Sequence, residues 1–200
     1  MRLPGLVVAL VLLLVPAAAF SEPLTAEERE TLLAHLDRTR DAFLASVDGL
    51  SDAQWNFRAA EGRWTIAEVA EHIVATESLL RGTAEGAMKE PAGEMPANAH
   101  GDELVLKLVP DRSQKFQAPE PLQPTNRFGS PSATLDEFGT QRSKTIDLAK
   151  NGGDLRGYAA EGPSGNPLDV YGWILFTSAH TERHTKQIEE VKADPEFPNE

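Results

Sequence analysis

Residues 64–77, WTIAEVAEHIVATE, bring a helix start, a buried stripe and a chemically active side chain together in one element. Thr65 stands three residues before Glu68, the spacing at which a hydroxyl and a carboxylate cap the first turn of a helix reciprocally. Ile66, Val69, Ile73 and Leu80 then recur at helical spacing, so a helix running to about Met88 carries one apolar face. His72 lies three residues beyond Val69 and shares that face.

The same pattern repeats outward along the chain. Thr25 with Glu28 opens a helix to about Val47, with Leu32, Leu33, Leu36, Phe43, Leu44 and Val47 forming its stripe. Thr134 with Glu137 opens another, through Leu135, Phe138, Ile146 and Leu148, which stops at Asn151-Gly152-Gly153. Asn166, Pro167 and Asp169 start a last helix that reaches about Lys192 and is closed by Pro195. Between Pro91 and Pro131 the chain is rich in proline and glycine, with one short amphipathic piece, ELVLKLV, at 103–109. No β-strand pattern, internal repeat or low-complexity segment stands out.

These signals predict an all-α fold, a four-helix bundle. Modest linkers join helices one to two and three to four, and favour antiparallel neighbours. The connection between helices two and three, about forty residues, can run the length of the bundle and make those two parallel, giving an up-down-down-up order with a long crossover.

The last helix contains HTERHTKQIEEV, with His180 and His184 one turn apart on one face. Trp173, Phe176 and Thr177 lie one and two turns before His180, so the pair sits on the inward, mostly apolar stripe. Surface pairs of this spacing arise by chance, and buried histidines often only satisfy a core hydrogen bond. The topology supplies a test. With helices two and four antiparallel, His72 lies about 10 Å from the start of its helix and His184 about 12 Å from the end of its own. The three imidazoles therefore fall at one height. His72, His180 and His184 are the expected metal ligands, and three protein ligands leave a fourth position open, as in catalytic zinc sites.

Composition narrows the chemistry. The chain has 200 residues and 40% hydrophobic content, enough for one sizeable core. It has no cysteine, so imidazole and carboxylate are the strong ligands, and disulfides, thiolate zinc sites and a cysteine nucleophile are excluded. The net charge is -12, and the first twenty residues contribute only Arg2, so nucleic acid is not an expected partner. Residues 1–20, MRLPGLVVALVLLLVPAAAF, hold an apolar run from Leu6 to Val15, then Pro16 and small alanines. They read as a secretory signal with Ala17 and Ala19 at a small-x-small cleavage site; a retained anchor is the alternative. The expected organisation is a signal peptide at 1–20 and a single domain at 21–200. The mature protein is then periplasmic or extracellular, with no membrane partner after cleavage.

Three stretches, WTIAEVAEHI, RSQKFQAPEPLQP and AHTERHTKQIEEV, together resemble the DinB/YfiT-like superfamily of metal-binding four-helix bundles with an up-down-down-up order. The resemblance covers roughly residues 25 to 192. It implies the ligands His72, His180 and His184, with zinc or nickel as the ion. It also implies a looser range of activities, from thiol-dependent transferases and isomerases using bacillithiol, mycothiol or glutathione to hydrolases. The export signal sets this chain apart from relatives that draw on cytosolic thiols.

Other residues carry plainer readings. Trp64 and Trp173 are expected as core anchors, His35 as a packed or half-exposed helix residue, and His100 as solvated. Thr76 and Gln187 are placed to hydrogen-bond a ligand or a metal-bound water, or only to finish the polar end of the core. Glu182, Glu189 and Glu190 point mostly to a solvated face, and no residue is singled out as catalytic. The first functional expectation is a metal-dependent hydrolase or group transferase acting on a small-molecule substrate. The alternative is a non-catalytic metal- or ligand-binding protein whose site is closed by a further ligand such as His35 or Glu77. A homodimer is compatible with either.

Overall fold

The computed structural model describes residues 23–90, 101–163 and 165–199. The secretory signal and His100 therefore lie outside the described residues. Four long helices form the body: α1 (Ala26–Val47), α3 (Ile66–Ala87), α5 (Pro131–Asn151) and α6 (Val170–Lys192). Short helices α2 (Asp52–Trp55) and α4 (Asp102–Leu108), and a 3-10 turn at Glu120–Leu122, lie in the connections.

Two of the three expected capping boxes form, Thr25 with Glu28 and Thr65 with Glu68. A further one, Ser51 with Gln54, starts the one-turn α2. The start of α5 differs from expectation. Ser130 is the cap, accepting from the Ala133 amide, and Pro131 occupies the first turn, where its missing N–H costs nothing. Thr134 lies inside the helix and donates its hydroxyl proton to the Ser130 carbonyl. The start of α6 is also later than expected. Asp169 caps it, accepting from the Gly172 amide at 2.6 Å. Asn166 and Pro167 belong instead to a small antiparallel hairpin, β1 (Ala159–Glu161) and β2 (Pro167–Asp169), with Ala160 opposite Leu168. Strands of three residues are too short to show an alternating pattern, so the sequence does not reveal them.

The helix directions follow from named contacts. Arg29, near the start of α1, donates to carbonyls of Ala149, Lys150 and Gly153 at the end of α5, so these helices are antiparallel. Lys192 near the end of α6 donates to the Ser46 carbonyl near the end of α1, so these two are parallel. One apolar cluster brings Ile66 and Val69 at the start of α3 together with Leu135 and Phe138 in the first half of α5 and with Ile188 and Val191 at the end of α6, so α3 runs parallel to α5 and antiparallel to α6. The order is up, down, down, up. The neighbours, however, are not the expected ones: α1 and α3 each pack against both α5 and α6, so α1 and α3 occupy diagonal corners. The linkers carrying α2 and the hairpin are long enough to cross a diagonal.

Two apolar clusters fill the interior. One gathers Leu32, Leu36, Leu80, Trp173 and Leu175; the other gathers Phe43, Ile66, Val69, Ile73, Phe138 and Ile188. Between them lies a polar layer in which the fully buried Arg142 binds Glu77, the Leu36 carbonyl, Thr39 and Thr181, touching all four long helices. In the crossover, the amphipathic piece expected at 103–109 falls in α4, which packs on α6 and buries Val105. Among the described residues no helix is long and apolar enough to cross a membrane.

Candidate metal centre

His72 on α3 and His180 and His184 on α6 converge, and one ring nitrogen from each lies within 4.8 Å of the others. The ring centroids stand 5.0 Å (72 to 180), 4.6 Å (72 to 184) and 4.4 Å (180 to 184) apart. His72 and His184 are buried and His180 is half-buried. An ion at about 2.0–2.1 Å from each imidazole nitrogen draws its ligand atoms to within about 4 Å of one another. For a tetrahedral ion that spacing is about 3.4 Å, so the three side chains fit a metal ion after small side-chain adjustments.

The chemistry of the donors agrees. Burial, then the coulombic effect of the His72 ring, pushes His184 down to about 3. Burial and the two neighbouring rings hold His180 well below the ordinary histidine value, and burial lowers His72, partly offset by its hydrogen bond to Leu122. Neutral rings with free lone pairs are what a divalent ion needs.

The outer contacts orient two of the three rings. His72 Nδ1 lies 2.8 Å from the Leu122 carbonyl oxygen, and because a carbonyl only accepts, Nδ1 carries the proton and Nε2 keeps the lone pair. His184 Nδ1 lies 2.8 Å from Gln187 Oε1. Trp64 is half-buried; it packs against the apolar cluster around Ile66 and Val69, and its ring also stands 4.9 Å from that of His72. Phe176 stacks on His180 at 6.4 Å and 17°. Trp173 is a core residue as expected, with 5% exposure.

The crossover is pinned over this end of the bundle. Glu71, beside His72, accepts from the Thr125 amide at 2.7 Å and from Arg127 Nε at 2.7 Å, and these contacts hold its carboxyl below the usual range against the opposing effect of burial. Arg183, beside His184, donates to the carbonyls of Val109, Asp111 and Gln114. Arg112 pairs with Glu190, so that glutamate, on the exposed face as expected, also holds the crossover.

The candidate fourth ligands are engaged elsewhere. Glu77 is 1% exposed and bound by both ends of its carboxylate to Arg142. His35 is half-buried on α1, 3.4 Å from Arg38. Thr76 is buried, and its hydroxyl has no partner among the described residues. Leu122 and Arg112 carry no sequence signal for this site, because the first acts through its backbone carbonyl and the second reaches α6 from the crossover.

Comparison with known proteins agrees with this architecture. The model of the DinB superfamily matches residues 35–188. The uncharacterised protein YuaE of Bacillus subtilis (strain 168) is 30% identical over 147 residues, 73% of this chain and 88% of its own length. The fold is similar to that of YfiT from Bacillus subtilis, described as a probable metal-dependent hydrolase with an unusual four-helix bundle topology. That likeness has a TM-score of 0.58 at 13% identity and covers 86% of this chain and 89% of that one. The α-helical bundle, the matched span and the kinship with YuaE together make this chain a member of the DinB superfamily.

Proposed function

We propose that the protein holds a divalent ion, zinc or nickel, on His72, His180 and His184, and acts as a metal-dependent hydrolase or group transferase on a small substrate. The observation that carries this reading is the convergence of three neutral imidazoles whose nitrogens lie within 4.8 Å. Such an ion polarises a substrate group or makes a bound water or thiol more acidic. The chain's own residues hold the rings neutral, turn Nε2 of His72 inward and keep Glu71 and Glu77 occupied by arginines. Three ligands of this kind leave a position for substrate, which favours catalysis over a purely structural ion. The description of YfiT as a probable metal-dependent hydrolase points the same way.

The test is elemental analysis of protein purified without a histidine tag. One ion per chain is expected in the wild type and less than a tenth of that in His184→Ala; equal content in both would overturn the ligand assignment. Cobalt-loaded protein titrated with azide then probes the open position. A change in the visible spectrum is expected, and an unaltered spectrum would mark a closed, structural site.

The same reading places the protein outside the cytoplasm, on the strength of residues 1–20. Mature protein in the periplasm or medium is expected to begin near Ser21 or Glu22. Membrane-bound protein that retains Leu6 to Val15 would refute cleavage.

A further inference from the structure

We infer that Arg112 is a positioning residue of the metal centre: from the crossover it fixes the Gln187 amide, and through that amide the ring tautomer of His184.

The inference starts from one oxygen with two neighbours. Gln187 Oε1 lies 2.8 Å from His184 Nδ1 and 3.1 Å from Arg112 Nη1. A guanidinium only donates. If the amide were turned over, its NH2 group would face the arginine N–H, donor against donor. The oxygen therefore occupies this position, and an oxygen so placed can only accept from the imidazole. Nδ1 of His184 carries the proton, and Nε2 is left as the ligating atom.

Arg112 is itself held. Its Nε and Nη2 donate to the two carboxylate oxygens of Glu190 at 2.6 and 2.7 Å, and its side chain is 14% exposed. His184, Gln187 and Glu190 stand at three-residue steps along one face of α6, so a single side chain from the crossover clamps the last two and orders the first. His72 has its counterpart in the Leu122 carbonyl, which also belongs to the crossover. Residues 112 and 122 thus orient ligands on two different helices, and the segment between α4 and α5 completes the site. A glutamine beside a ligating histidine does not define a tautomer unaided, because its amide offers either end. The arginine removes that ambiguity.

Two readouts separate this inference from the metal-dependent reading, on which only the second rests. In metal-free protein with 15N-labelled histidine, long-range proton–nitrogen correlations report which nitrogen of His184 is protonated. The wild type is expected to show Nδ1–H alone, and Arg112→Met a mixture of both tautomers. Zinc affinity is expected to fall at least about tenfold in Arg112→Met, the range typical of lost contacts to ligating histidines. Gln187→Met, which keeps the Arg112–Glu190 pair, should behave alike. Combining Arg112→Met with Gln187→Glu should restore affinity to within about threefold, because a carboxylate accepts whichever way it turns. An unchanged tautomer in Arg112→Met overturns the inference, even with weaker zinc binding, since that would leave Arg112 only fastening the crossover. Wild-type protein that binds no zinc overturns the metal reading, while the tautomer measurement still decides the role of Arg112.

Discussion

Glu77→Ala is expected to lower the stability of the bundle by about 3–5 kcal/mol, the range for removing one partner of a buried ion pair. The side chains of Arg142 and Glu77 are 0% and 1% exposed. Without the carboxylate, the guanidinium keeps the Leu36 carbonyl, the hydroxyls of Thr39 and Thr181 and the face of the Phe138 ring, none of which carries a countercharge. Total stabilities of domains run to about 5–15 kcal/mol, so the variant should unfold at a far lower urea concentration, or not fold at 37 °C. Replacing both partners, as Glu77→Leu with Arg142→Met, should recover most of the loss, because apolar residues of similar volume remove both desolvation costs together. The measurement is the urea midpoint of the three proteins. A loss below about 1 kcal/mol in Glu77→Ala would show that water reaches the pair and that the polar layer is not dry.

The second large effect is acid sensitivity of the metal-free protein. His72, His180 and His184 all titrate below their ordinary value of 6.5 when folded, through burial first and through one another and nearby arginines next. Arg127 faces His72, and Arg112 and Arg183 face His184, adding to the depression. The sign follows from linkage: below the unfolded pKa the unfolded chain takes up protons that the folded rings refuse. Stability is full above about pH 6.5 and declines as pH falls, by up to about 1.4 kcal/mol per pH unit for each ring that stays neutral. Several carboxyls, among them Glu68, Glu71 and Glu182, are held below 4.5, so their contribution is lost only at lower pH. Between about pH 6.5 and 5 the histidines dominate. Thermal melts over this window should show a falling Tm, a shallower fall in His184→Leu, and a shift upward at pH 7 with saturating zinc. A flat profile would mean that the rings are hydrated and chargeable in the folded protein.

The capping boxes at Thr25 and Thr65 and the apolar stripes behind them are local signals, and both are realised in place. The signal at Thr134 is equally local but loses to Ser130-Pro131, four residues earlier, because proline fixes the backbone for a first turn and a serine before it can cap. Asn166-Pro167 fails as a helix start for a different reason. Pro167 pairs opposite Glu161 and the Asn166 carbonyl accepts from the Gly162 amide, and that competition depends on a segment a few residues upstream. The cluster of three histidines is legible because spacing fixes two of them on one helix face and helix length sets the height of the third.

By itself the sequence determined four amphipathic helices, the up-down-down-up order and the three histidines, since each depends on periodicity, caps or chain length. Only the tertiary structure decided that α1 and α3 sit on a diagonal, that Arg142 and Glu77 form a dry polar layer, and that Leu122 and Gln187 orient His72 and His184. The reason is physical: those contacts either join residues far apart along the chain or hinge, as at Gln187, on which end of an amide a distant arginine selects. Both are outcomes of packing that no local pattern encodes.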